Sequence, residues 1–158
     1  MAGVQSFDQS AERYEAWFRK NWNAYQPEVR ALKEVMPSVG DAVEIGVGSR
    51  RFAAPLAVRF GVDPARVMLQ VARSRGVDAA MGVGEALPFA GACFAVALMV
   101  TTVCFLDDIV QALREARRIL RRRGRIVLGF VDQTSALGQT YVRCSFSHPS
   151  FSAPRSLT

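Results

Sequence analysis

Ala42-Val43-Glu44-Ile45-Gly46-Val47-Gly48 is a short apolar run that passes straight into a glycine turn. It reads as a buried strand over Ala42–Gly46, followed by a helix over roughly Arg51–Arg59. Glycine lets a backbone come close to a ligand, and a helix N-terminus presents free N–H groups. The same turn serves nicotinamide and flavin cofactors, and a tight strand-to-helix turn with no ligand has the same appearance.

Downstream of this turn, Gly61-Val62-Asp63-Pro64 is the tip of a second strand, and Ala65–Arg73 is a helix entered through Pro64. Val77–Met81 is a third, weaker strand. Phe94–Val100 is a fourth, apolar throughout, as expected when both faces of a parallel sheet are covered. Asp107–Leu120 reads as a helix burying Ile109, Leu113, Ala116 and Leu120, with arginines opposite. Gly124 ends it, and Ile126–Val131 is a fifth strand. Strand and helix thus alternate about five times at the spacing of βαβ crossovers, which predicts a doubly wound, mostly parallel sheet.

Upstream, Ser6 and Gln9 form a capping-box pattern, and Tyr14, Trp17 and Phe18 recur at helical spacing over about Asp8–Lys20. Pro27 suits the start of a second helix with Val29, Leu32, Val35 and Met36 on one face, ended by Pro37–Gly40. The expected organisation is one domain over 1–140, with helices over about 8–37 at its front. An irregular tail follows over 141–158, rich in serine and proline without periodicity.

The length of 158 residues suits one domain, and 50% hydrophobic residues supply a core. The formal net charge of +6 comes almost wholly from arginine, scattered except at Arg121-Arg122-Arg123-Gly124-Arg125. At a helix C-terminus such a cluster complements the dipole and stays solvated. It lacks interleaved aromatics, so nucleic acid is not the expected partner. Cys93, Cys104 and Cys144 form no metal-type spacing, so neither zinc nor a disulfide framework is expected. The N-terminus has no apolar signal core, and the longest apolar run, Cys93–Val100 and onward to Leu106, is too short to span a bilayer. A soluble, cytoplasmic protein is the expectation.

Read in order, VEIGVGSRRFAAPL (43–56), GVDPARVMLQVARSRGV (61–77), GEALPF (84–89), FAVALMVTTVCFLDD (94–108) and ALREARRILRRRGRIVLGF (112–130) resemble the class I S-adenosylmethionine-dependent methyltransferases. They are most similar to the small-molecule type, with its E-x-G-x-G-x-G, G-V-D, A-E-x-L-P-F, F-D and R-x-L-x-x-G-G pattern. The resemblance covers about residues 40–132 and implies a Rossmann-like fold, S-adenosylmethionine as cofactor and S-adenosylhomocysteine as product. It implies that Gly46 and Gly48 lie against the methionine part while Glu44 orients the loop. Asp63 would hold the ribose, although a carboxylate there also suits the N-cap of the next helix. Gly84 and Glu85 would flank the adenine through backbone, with Leu87 packed on it. Thr101, Thr102 and Cys104 would border the sulfonium and acceptor, Cys104 as a packing residue. The first helix, with Tyr14, Trp17 and Tyr25, resembles the lid of such sites, and plain helix packing would look the same.

Methyl transfer from a sulfonium needs positioning more than acid–base chemistry, and no general base stands out. His148, Asp132 and Tyr141 are the nearest candidates. Three positions depart from the family pattern. Arg50 replaces the third glycine, Ala95 replaces the aspartate after Phe94, and the segment 133–158 shows no strand pair for the usual C-terminal hairpin. The expected function is methyl transfer to a small-molecule acceptor, with a homodimer completing the open sheet. The alternative is a non-catalytic cofactor-binding or protein-interaction module on the same fold.

Overall fold

The computed structural model describes residues 11–37, 41–132, 134–135 and 138–139. The capping-box residues, Tyr141, His148 and the tail lie outside the described residues. Five parallel strands form one sheet in the order β3-β2-β1-β4-β5. They are β1 Ala42–Ile45, β2 Phe60–Asp63, β3 Asp78–Met81, β4 Phe94–Val100 and β5 Leu120–Gly129. The helices are α1 Ala11–Lys20, α2 Trp22–Val35, α3 Arg66–Ser74 and α4 Ile109–Ile119. This is the doubly wound sheet that the alternation predicts. None of the described helices is long and apolar enough to cross a membrane.

The central strand β4 explains the layering. Val96, Leu98 and Val100 join one core with Phe18, Tyr25, Val29, Leu32 and Leu69 from the first three helices. Ala97 and Met99, on the opposite pleat, join Val43, Ile45 and Val62 against Ala116 and Ile119 of α4. A strand buried on both faces needs apolar residues at every position, and β4 has them.

Several boundaries differ from the sequence expectation. The segment after the glycine turn, residues 51–57, is a series of turns and not a helix. Pro55 has no N–H to give the Arg51 carbonyl, and that carbonyl accepts the Tyr25 hydroxyl instead. Pro27 stands inside α2 and does not begin it. The buried stripe of α2 starts at Tyr25, one turn earlier, and Asn23, whose carbonyl Pro27 cannot bond, is exposed to water. Val35 falls off that stripe and is exposed, while Met36 packs against the core.

The arginine cluster is also relocated. Asp108 caps α4 by accepting from the Gln111 N–H at 2.9 Å, and the helix stops at Ile119. The Arg118 and Ile119 carbonyls there accept from the Ala92 and Cys93 N–H groups, at 3.1 and 2.8 Å. The chain enters β5 at once, so Leu120 belongs to the strand and not to the helix. Phe94 pairs with Leu120 but Val96 pairs with Arg125, leaving Arg121–Gly124 as a bulge. Arg123 adopts φ +66° within it. The cluster is therefore an exposed bulge on the outer strand and cannot complement a helix dipole.

Candidate cofactor-binding site

The strand order reverses between β1 and β4, and open α/β sheets bind ligands beyond the carboxyl ends of their strands at such a point. The segments gathered there are the glycine loop after β1, Asp63 at the end of β2, Gly82–Glu85 after β3 and Thr101–Thr102 after β4. Thr102 Oγ1 lies 3.0 Å from the Ile45 carbonyl and 3.1 Å from that of Val100, bridging the two central strand ends.

The loop needs its glycines. Gly46 has φ +79°, and a Cβ there would lie 2.7 Å from Thr102 Cγ2. Its N–H and that of Val47 both donate to the Val62 carbonyl, at 2.8 and 3.0 Å. Gly48 has φ +50°, and a Cβ on it would meet the Tyr14 hydroxyl at 3.3 Å. Asp63 Oδ2 accepts from the Gly48 N–H at 2.9 Å and Oδ1 from the Ala65 N–H at 2.8 Å. Asp63 thus closes a turn before α3, while Ala65, not Asp63, is the N-cap residue and Pro64 precedes the helix.

Glu44 is only 1% exposed, and its Oε2 has no hydrogen-bond partner among the described residues. Burial pushes its carboxyl well above the ordinary range; the Ala53 N–H bonded to it opposes this, and the nearby Asp63 charge adds to it. Through the Ala53 bond Glu44 holds the turn segment against β1. Burial likewise raises the Tyr14 phenol, reinforced by the charges of Glu44, Asp63 and Glu15.

Gly84 is buried, and a Cβ on it would lie 2.7 Å from Leu106 Cδ2. The loops after β3 and β4 therefore touch above Ile45. Glu85 Oε1 accepts from the Asp107 and Asp108 N–H groups at 2.8 and 3.2 Å, which fixes the approach to α4. The Leu87 side chain sits in the α4-side core, and its N–H donates to Glu115 Oε2 at 2.8 Å. Thr101 has φ +53°, a left-handed conformation uncommon outside glycine, and its N–H donates to the Gly129 carbonyl at 2.7 Å. The Cys104 thiol donates to the Thr101 carbonyl at 3.3 Å, and burial raises its pKa.

Two departures from the family pattern are placed by the fold. Arg50 adopts φ +75°, a left-handed conformation that favours glycine, and its guanidinium reaches toward Gly76 past the end of α3. Ala95 packs near the amino end of β4, opposite the strand ends that carry the site. Among the described residues no cluster of three or more acidic, histidine or cysteine side chains could hold a metal ion.

Glu15, Ser49, Arg51 and Arg75 were not legible as site neighbours. The Glu15 carboxylate gathers the other three, and Ser49 is fully buried. Partners separated by 34 to 60 residues leave no spacing signal in a sequence.

The residues present fit a nucleoside cofactor. Asp63 stands at the end of β2 beside the glycine loop, where a carboxylate is suited to accept hydrogen bonds from vicinal hydroxyls. A family profile described as a methyltransferase domain matches residues 43–128. An uncharacterized protein of Methanocaldococcus jannaschii is 39% identical over 135 residues, which is 85% of this chain and 65% of that protein. One from Mycobacterium tuberculosis is 38% identical over 162 residues, covering 100% of this chain and 57% of its own length. The chain therefore spans less than two thirds of the curated relatives it matches. A Thermotoga maritima crystal structure, described as an S-adenosylmethionine-dependent methyltransferase and possible histamine N-methyltransferase, superposes with a TM-score of 0.85. It is 43% identical, with coverage of 92% of this chain and 70% of that one. By its fold, its ordered loops and these relationships, the chain belongs to the class I S-adenosylmethionine-dependent methyltransferase family.

Proposed function

We propose that the chain binds S-adenosylmethionine at the ends of β1, β2 and β4 and transfers its methyl group to a small-molecule acceptor. The observation that carries this reading is Asp63, placed at the end of β2 and bonded to Gly48 of the glycine loop. The bound cofactor supplies an already activated methyl group, so the protein has to position it and exclude water. Asp63 would hold the ribose hydroxyls, and Gly46 and Gly48 would border the methionine part with Glu44 fixing their loop. Gly84 and Glu85 would line the adenine through their backbone, supported by Leu87 in the core beneath. Thr101, at the end of β4, would border the acceptor. Likeness to the Thermotoga protein supports an amine as that acceptor.

Calorimetric titration with S-adenosylmethionine and S-adenosylhomocysteine tests the reading. Binding of both is expected; no heat and no thermal shift at millimolar concentration would overturn it. Tyr14 standing over Gly48 favours a second reading, a closed module that binds cofactor without turnover. Release of S-adenosylhomocysteine in the presence of a panel of small amines separates the two. A cytoplasmic location and a two-fold dimer belong to the same proposal.

A further inference from the structure

A polar strip on α4 holds the loop that follows β3. Gln111, Glu115 and Arg118 stand at positions i, i+4 and i+7 of the helix, directly beside the buried Ala112, Ala116 and Ile119. All three bond to the backbone of the segment Glu85–Phe89. Gln111 Nε2 donates to the Glu85 carbonyl at 3.3 Å, and the Leu87 N–H donates to Glu115 Oε2 at 2.8 Å. Arg118 donates from Nη2 to the Leu87 carbonyl at 3.1 Å and from Nη1 to the Phe89 carbonyl at 2.8 Å. Its Nε and Nη2 each donate to the Glu115 carboxylate at 2.7 Å, so the two side chains brace one another. The loop also closes on itself. Val83 and Ala86 form an antiparallel bridge, and a Cβ on Gly82 would lie 2.9 Å from Pro88 Cδ.

Stability alone does not call for this strip. Ala112, Ala116 and Ile119 already seat α4 on the sheet, and the Arg118 side chain is 40% exposed, where an ion pair contributes little. What the strip fixes is direction. The apolar contacts of Leu87 and Phe89 with the core locate the segment, whereas hydrogen bonds to its N–H and carbonyl groups set how each peptide is turned. Direction matters because the tip of this loop has little else with which to read a base. Gly84 has no side chain, and the Glu85 carboxylate is engaged by the Asp107 and Asp108 N–H groups. A base lined by backbone is told from another by where the donors and acceptors point. A site built that way strongly rejects an analogue whose polar groups are reversed.

We propose that Gln111, Glu115 and Arg118 are positioning residues for base recognition: they hold the Glu85–Phe89 backbone in the setting that tells adenine from other purines. The inference rests on the cofactor reading above. None of the three touches the base; each acts through the peptide groups it holds. Glu115 and Arg118 carry most of the effect, because together they fix the Leu87 N–H and the Leu87 and Phe89 carbonyls.

The test titrates S-adenosylhomocysteine and S-inosylhomocysteine into the full chain and its Glu115→Gln, Glu115→Leu and Arg118→Met variants by calorimetry. Hypoxanthine carries a carbonyl where adenine carries an amino group, so the ratio of the two Kd values reads base recognition apart from overall affinity. The unaltered chain should prefer S-adenosylhomocysteine at least about tenfold, and Glu115→Leu and Arg118→Met should erase most of that preference. Glu115→Gln keeps an oxygen for the Leu87 N–H and should hold the ratio within about threefold. A merely structural role would lower the melting temperature of the variants and leave the ratio where it was; that result overturns the proposal. Loss of preference in Glu115→Gln as large as in Glu115→Leu overturns it too, because the Leu87 bond would then not be what counts. Should Arg118→Met not fold, Glu115→Leu still reads the middle of the strip, and failure of both to fold would assign the strip to structure alone. If the unaltered chain binds neither ligand, the cofactor reading fails and this assignment with it. Binding with an unmoved ratio in the variants rejects the assignment and leaves the cofactor reading standing.

Discussion

Asp63 accepts the Gly48 N–H at 2.9 Å, so the end of the second strand and the glycine loop are joined through a single side chain. Its other oxygen takes the Ala65 N–H at 2.8 Å. Asparagine has the same shape but only one acceptor oxygen, and its amide would face one of these donors. Leaving a buried donor unsatisfied costs about 1–3 kcal/mol. Asp63→Asn should therefore lower stability by about that amount in urea denaturation and weaken S-adenosylhomocysteine binding at least tenfold. Unchanged affinity would show that the ribose does not sit at Asp63.

Arg50 separates two opposite expectations about the altered glycine loop. Its left-handed φ costs about 1–2 kcal/mol for a residue with a side chain. Glycine removes that strain but restores about 0.4–1 kcal/mol of unfolded-chain entropy. It also removes an Arg50 Nε that is buried without a hydrogen-bond partner among the described residues. Arg50→Gly should be neutral or slightly stabilising. Because the guanidinium points to Gly76, cofactor affinity should stay within a few-fold. A gain of tenfold or more, about 1.4 kcal/mol, would mean that the arginine obstructs the site in solution.

What the sequence revealed of this site follows from the range of the interactions. The strands β1, β2 and β4, the glycine turn and Asp63 all leave local signatures, because each depends on residues a few positions apart. The turns after Gly48 were misread as a helix because the apolar pattern there is helical. What prevents a helix is Pro55, together with a distant tyrosine that takes the freed Arg51 carbonyl. The arginine cluster was misread for a related reason. No propensity distinguishes a helix C-terminus from a strand bulge when the deciding contacts are the Ala92 and Cys93 N–H groups from another loop.

Glu15 should make the attachment of α1 depend on acid. Its carboxyl is lowered to about 2 by the Arg75, Ser49 and Arg51 hydrogen bonds, which outweigh the opposing effect of burial. A carboxylate depressed in the folded state contributes stability that is complete above its unfolded value near 4.5. That contribution is lost as pH falls toward 2. Fluorescence of Trp17 and Trp22 in the unaltered chain should therefore change between pH 4.5 and 2. Glu15→Gln should lack that component. Glu115, also held at about 2 by Arg118 and the Leu87 N–H, titrates over the same range in both proteins, so the difference between them isolates Glu15. Identical acid profiles would show that the carboxylate does not hold the helix.

The outer strand carries the prediction about assembly. Among the described residues β5 pairs only with β4, leaving its other edge open. The two halves of that edge differ in kind. Arg121–Gly124 bulges out and bears three arginines, and charge and bulging are the devices by which edge strands resist other chains. Ile126–Gly129 is uncharged and regular in register, with Leu128 42% exposed and Phe130 beyond it 74% exposed. A second copy can therefore pair only along this short carboxyl half, in an antiparallel two-fold arrangement that keeps the two arginine bulges apart. Light scattering should show a dimer in equilibrium with a 17.3 kDa monomer. Replacing Leu128 with lysine should shift it to monomer, while Arg122→Ser should leave it unchanged or favour the dimer. A constant monomer mass from micromolar to millimolar concentration would sink the edge-paired dimer. Dimerisation that survives Leu128→Lys would place the interface elsewhere on the molecule.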